Sequence, residues 1–121
     1  MIKNFLLVGL GGGIGSIVRY IFSLVNKHSN TFPFNTLTVN LLGSLLVGML
    51  MGLAVRANNW GIGWNLFLIT GFCGGFTTFS AFSFENFTLL QTDKTGTALL
   101  YIFTSILTGL LAAGLGFKLA S

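Results

Sequence analysis

Residues 71–85 gather most of the groups with which this chain can handle an ion: Gly71-Phe72-Cys73-Gly74-Gly75-Phe76-Thr77-Thr78-Phe79-Ser80-Ala81-Phe82-Ser83-Phe84-Glu85. Two adjacent glycines followed by two β-branched hydroxyl residues are poor helix material, yet they sit inside an uncharged run from Asn59 to Phe84. A helix broken there frees backbone carbonyls around 74–78, and unwound carbonyls are a natural cradle for a cation. Phe76, Phe79 and Phe82 then recur every three residues. That spacing places their rings along one helical face, where the partially positive ring edges can meet an anion.

Other polar residues lie in runs that are otherwise apolar. Asn40 and Ser44 are one helical turn apart, and Thr97, Tyr101, Ser105 and Thr108 follow the i, i+4, i+8, i+11 rule of one helix face. Taken singly, a hydroxyl of this kind serves as interhelical glue. A stripe of hydroxyls, an asparagine and a broken helix together describe a lined pathway, because a polar group inside a membrane is costly unless it pairs or faces water. The linings are neutral donors, with one acid, Glu85, near the end of the third run. Donors and positive edges suit an anion, whereas a cation path uses acidic rings or dense carbonyl arrays. Enzymatic chemistry is not indicated: His28 falls in a polar loop, Glu85 and Asp93 flank a span end, and no nucleophile stands beside a base. The single cysteine, Cys73, can form neither a disulfide framework nor a cysteine metal site and reads as a small apolar filler.

The elements that position these groups follow from composition. Only 7% of the 121 residues are charged and 53% are hydrophobic, where a soluble domain would carry roughly a quarter charged residues. The six Lys and Arg, net charge +4, are scattered singly, so they read as membrane-flank residues and not as a nucleic-acid surface. Four runs, approximately 4–25, 36–55, 61–90 and 97–119, are long enough to cross a bilayer. The links are short and polar, which makes residues 1–121 a single four-helix transmembrane unit. The first run begins like a signal peptide but continues past Gly11-Gly12-Gly13 to Val18 and beyond, and is expected to be a retained span. A straight helix over 61–90 would measure roughly 45 Å against a hydrocarbon core of about 30 Å. The Gly74-Gly75 pair near its middle is the expected point of interruption.

Lys3, Arg56 and Lys118 fall on the side of the termini, and Lys27 and Lys94 on the other, with Arg19 towards that end of the first span. So even a balance allows insertion in either orientation. Two oppositely inserted copies can then pair about an axis in the membrane plane. Small residues four apart, such as Ser44, Gly48 and Gly52, or Gly11 with Gly15, let backbones approach closely. Four thin helices enclose little alone, so oligomerisation is expected.

The 71–85 stretch closely resembles the signature of the bacterial fluoride channels of the Fluc (CrcB) family. Gly12-Gly13-Ile14-Gly15-Ser16-Ile17-Val18-Arg19-Tyr20 and Thr36-Leu37-Thr38-Val39-Asn40-Leu41-Leu42-Gly43-Ser44 support the match, and length, span count and motif order agree over the whole chain. The resemblance implies an all-α membrane protein: an antiparallel, dual-topology homodimer with four transmembrane helices per subunit, the third broken. Two fluoride pores and one structural sodium ion at the dimer centre are implied with it. Carried across, backbone carbonyls of Gly74 and Thr77 from both subunits would hold the sodium. Phe79 and Phe82 would be pore phenylalanines and Asn40 a fluoride hydrogen-bond donor. Ser80, Thr78, Tyr101 and Ser105 would belong to the polar track, and Arg19 and Glu85 would be charges near the pore mouths or in the packing around them. The implied activity is passive export of fluoride across the bacterial cytoplasmic (inner) membrane, relieving fluoride toxicity, with no enzymatic step.

The rival reading is a proton-coupled exporter of the small multidrug resistance type, also four short spans and often antiparallel. Such a pump uses a membrane-embedded carboxylate, conventionally in the first span, and this first span has Arg19 and no acid. A non-conducting subunit of a larger membrane complex is the third.

Overall fold

In a bilayer the backbone must satisfy its own hydrogen bonds, so an apolar chain of this kind folds as helices. The computed structural model describes residues 1–25, 32–58 and 60–121; Lys27, His28 and Asn59 lie outside these. Among the described residues there is no strand. Four stretches are long and apolar enough to cross a membrane: Ile2–Val25, Phe34–Arg56, Ile62–Gln91 and Thr95–Ala120.

The first, second and fourth of these are continuous helices, α1 (Ile2–Val25), α2 (Phe34–Arg56) and α6 (Thr95–Ala120). The third is composite. A short turn α3 (Ile62–Trp64) leads into a π-helical segment (Asn65–Cys73), a further turn α4 (Gly74–Phe76), and helix α5 (Phe79–Gln91). Between α4 and α5 the backbone is extended, with Thr77 at φ −85°, ψ 156° and Thr78 at φ −148°, ψ 116°.

The extended residues are therefore the two threonines and not the expected Gly74-Gly75 pair. Gly74 keeps helical angles, φ −63° and ψ −37°. Gly75 serves close packing: a Cβ there would run into the carbonyl oxygen of Gly12 on α1. Threonine is the better residue at the extended position, because its branched Cβ disfavours the helix and its hydroxyl can cap the next one. Thr78 does so, accepting a hydrogen bond from the Ala81 N–H at 3.1 Å.

The helices associate as two pairs. α1 lies against the π-helical segment and α4, while α2 lies against α6. The second seam is closed by Gly48, where a Cβ would meet the Ala113 carbonyl. Such contacts replace the hydrophobic effect, which is absent between helices in lipid. α5 is less embedded, touching α6 and, more lightly, α2. It ends in a Schellman turn: Lys94 N–H bonds the Leu89 carbonyl at 2.8 Å and Asp93 N–H that of Leu90 at 3.4 Å, with Asp93 left-handed at φ 59°.

Candidate ion pathway

Leaving the helix at Thr77 orphans the polar groups of several residues, and each must find a partner or face solvent. The chain provides three ties. Asn40 on α2 presents its carboxamide edge-on to Thr78: Nδ2 donates to the Thr78 carbonyl at 3.1 Å, and Oδ1 accepts from the Thr78 N–H at 2.8 Å. The arrangement mimics one rung of a β-ladder and fixes the extended residue against α2. Thr77 donates through both its N–H (3.0 Å) and its Oγ1 (2.8 Å) to the Cys73 carbonyl. Arg19 on α1 donates from Nε to the Gly75 carbonyl at 3.1 Å, a cation at the negative end of a half-helix.

These ties sort the carbonyls around the interruption. Those of Cys73, Gly75 and Thr78 are taken. No hydrogen bond among the described residues ends on the carbonyls of Gly74, Phe76 or Thr77. Gly74 is also exposed and Thr77 half-buried. Two uncommitted carbonyl oxygens beside an open surface are a hard-donor set of the kind an alkali cation takes, so these residues fit the sodium ion that the resemblance implies.

Gly74 and Thr77 line a cleft of about 480 Å³, open on one side, together with Asn40, Gly43 and Ser44 of α2, Cys73, Thr78, Phe79 and Phe82 of the third span, and Ser105 of α6. The Phe79 and Phe82 ring centroids lie 5.8 Å apart, tilted by 36°. Phe79 is 78% exposed, a large apolar surface presented outward from the interrupted span. Ser105 Oγ is buried and bonds nothing among the described residues. The second Nδ2 hydrogen of Asn40 is left over by the Thr78 pairing, since a carboxamide nitrogen carries two.

Phe76 does not share this face. It is 5% exposed, stacked on Phe72 at 5.8 Å and edge-on to Phe22 at 5.5 Å. Spacing of three puts rings on one face only while the helix continues, and the extended threonines intervene between Phe76 and Phe79. The hydroxyl stripe of α6 divides for a different reason. Thr108 donates back to the Thr104 carbonyl at 2.6 Å, and Tyr101 is fully buried, with its hydroxyl on Glu85 Oε1 at 3.0 Å.

Glu85 takes a second hydrogen bond, from Thr36 Oγ1 to Oε2 at 2.9 Å. One carboxylate thus joins α2, α5 and α6, away from the lining of the large cleft. Arg19 lines a smaller cavity of about 220 Å³ with Tyr20, Ser23, Asn35, Thr36 and Thr78. Ser80 is exposed, with its Oγ 3.1 Å from Thr78 Oγ1. Of the residues expected at the site, Asn40, Gly74, Thr77, Thr78, Phe79, Phe82 and Ser105 share one cleft, while Arg19, Ser80, Tyr101 and Glu85 lie outside its lining.

Two participants carry no chemical signal of their own in the sequence. Thr36 anchors Glu85, and Gly43 lies against the Thr77 side chain. Their spacing would have found them, since Thr36, Asn40 and Gly43 stand at i, i+4 and i+7 on one face of α2.

Four bilayer-length spans, the third of them interrupted beside a cleft that carries amide, hydroxyl and phenyl groups, define a small multi-pass membrane protein. Residues 6–117 match the family described as CrcB-like protein, Camphor Resistance (CrcB). The chain belongs to that family. It is 50% identical to a protein of Azobacteroides pseudotrichonymphae, over 98% of this chain and 97% of the relative. A Flavobacterium psychrophilum protein is 45% identical over 98% and 97%, and a Pyrococcus furiosus protein 44% identical over 98% and 97%. Each of these relatives is called a fluoride-specific ion channel FluC.

Proposed function

We propose that this protein is a passive, fluoride-selective channel of the cytoplasmic membrane, working as an antiparallel dual-topology homodimer with a structural sodium ion at its centre. The observation that carries the reading is the division of labour around Thr77 and Thr78. Uncommitted carbonyls of Gly74 and Thr77 adjoin a cleft lined by the donors Asn40, Ser44 and Ser105, the rings of Phe79 and Phe82, and the aliphatic side chains of Val47, Ile69 and Ile106. A second copy facing the first across this open side would supply two more carbonyls and close the cleft. The exposed Phe79 ring would then lie between subunits, with Phe82 behind it. The relatives' names support fluoride as the ion, and family membership places the chain among transporters without an enzymatic step.

In this mechanism the Gly74 and Thr77 carbonyls would hold sodium, which when bound would supply positive charge beside the path. Fluoride entering the cleft exchanges part of its water for the spare Asn40 N–H and the Ser105 hydroxyl. It then passes the ring edges of Phe79 and Phe82, which carry partial positive charge. Ser80 and Thr78 extend the hydroxyl lining. Arg19 contributes a positive charge at the smaller cavity, and Glu85 with Tyr101 braces α5. Selectivity follows from donors spaced for a small, hard anion in a narrow path.

Fluoride efflux from proteoliposomes containing the purified protein, with a potassium ionophore to balance charge, is the test. Efflux without a proton gradient is expected, and its absence overturns the reading. Loss of efflux in Phe79→Ile with dimer size unchanged assigns the path to that ring.

A further inference from the structure

We infer that Gly43 is a positioning residue for the cation site, acting through the Thr77 side chain. The inference rests on the reading that the Thr77 carbonyl is a cation ligand. Gly43 is buried on α2 directly opposite the extended segment, and a Cβ built there would overlap Thr77 Cγ2, with Phe76 Cδ2 at 3.3 Å and Thr77 Cβ at 3.6 Å. Backbone is not what occupies the space: the nearest atoms all belong to the side chains of the two residues at the end of α4. The missing side chain of Gly43 is therefore the seat of the Thr77 methyl.

The seat matters because Thr77 has little freedom to leave it. Its Oγ1 is bonded to the Cys73 carbonyl at 2.8 Å, and a β-branched side chain turns about a single stiff torsion. Rotating the methyl away from α2 takes the hydroxyl off Cys73. A side chain at position 43 thus forces one of two outcomes: loss of the Cys73 tie, or displacement of the Thr77 backbone. The second re-aims the Thr77 carbonyl, which leaves the helix at ψ 156°, and the first removes one of the two bonds that hold Thr77 to Cys73 and so loosens that carbonyl's placement. One turn earlier on the same helix face, Asn40 pins the Thr78 backbone. The two residues complement each other, with Asn40 holding the second extended residue by hydrogen bonds and Gly43 admitting the first by clearance.

The overlap is with one atom, which makes the inference testable by its removal. Gly43→Ala, Thr77→Ser and Gly43→Ala/Thr77→Ser are purified in sodium beside the native protein, and all four are compared by fluoride efflux and by thermal unfolding. Serine keeps the hydroxyl on Cys73 and lacks Cγ2. Gly43→Ala is expected to lower the efflux rate at least tenfold, and the double variant to return to within threefold of Thr77→Ser alone. Sodium retained after exhaustive desalting, measured by flame emission per mole of protein, should fall in Gly43→Ala and return in the double variant. If Gly43→Ala does not fold, a folded and conducting double variant still supports the seat, and a double variant that also fails to fold overturns it. Losses that add overturn it, as does rescue of unfolding temperature without rescue of efflux and sodium, because that pattern describes packing alone. A native protein that carries no fluoride or retains no sodium overturns the underlying function instead, and is recognised without reference to any variant.

Discussion

The two halves of the third span are held in opposite ways. Before the threonines, the π-helical segment and α4 lie backbone to backbone on α1: a Cβ at Gly75 would run into the Gly12 carbonyl, and one at Gly71 would come within 2.9–3.0 Å of the Val8 carbonyl oxygen and Gly11 Cα. After them, α5 makes few such contacts and is held by side-chain hydrogen bonds: Asn40 on Thr78, Thr36 and Tyr101 on Glu85. The first half is placed by clearance, which tolerates no added atom. The second is placed by directional bonds between helices, each modest and individually replaceable. A span that must be rigid where it presents carbonyls, yet leave room for a path beside its other half, benefits from both.

Substitutions that add volume to the first half should have the largest effect. Gly75→Val puts three carbons against the backbone of α1, and a monodisperse peak in size-exclusion chromatography is expected to vanish; its persistence would mean that the seam can open. Next comes Asn40→Leu, which deprives the Thr78 N–H and carbonyl of partners, at about 1–3 kcal/mol for each group left unsatisfied. A dimer of lowered unfolding temperature, with fluoride efflux reduced at least tenfold, is expected.

Tyr101→Phe removes one of two bonds to Glu85. Interhelical hydrogen bonds in membranes average about 0.6 kcal/mol, so a fall of that order in denaturant unfolding is expected; a loss several times larger would show that α5 hangs on this one bond. The smallest change is Asp93→Gly, at the left-handed turn after α5. Glycine adopts φ 59° without steric cost, so unfolding should be unchanged or slightly delayed, with efflux unaffected.

Much of this arrangement was legible in the chain itself. A composition poor in charge and four continuous apolar runs of bilayer length point to four helices, because backbone in lipid bonds only as helices or closed barrels and barrel strands are short and alternate in polarity. The polar residues of the cleft were visible as well, since each stands out against an apolar run. The choice among the glycine pairs was not. Gly11 and Gly15 lie against the backbone of the third span, whereas a Cβ at Gly9 or Gly13 meets nothing within 4 Å. The two sets have the same spacing and differ only in which face of α1 meets a neighbour.

The residue types alone require an interruption of the third span somewhere in 71–85 and gather carbonyls, hydroxyls and phenyl rings there. Local propensity suffices for that, as glycine and β-branched residues both weaken a helix. The position of the interruption comes from packing between helices. The extended residues are Thr77 and Thr78 because Asn40 waits on α2 for the backbone of one, and Gly43 leaves space for the methyl of the other. Gly75 remains helical against α1, on a surface where only glycine can lie, and Arg19 takes its carbonyl, while Gly74, where a Cβ would meet nothing within 4 Å, keeps helical angles beside it. A sequence records preferences residue by residue, whereas a vacancy between two helices exists only once both are in place.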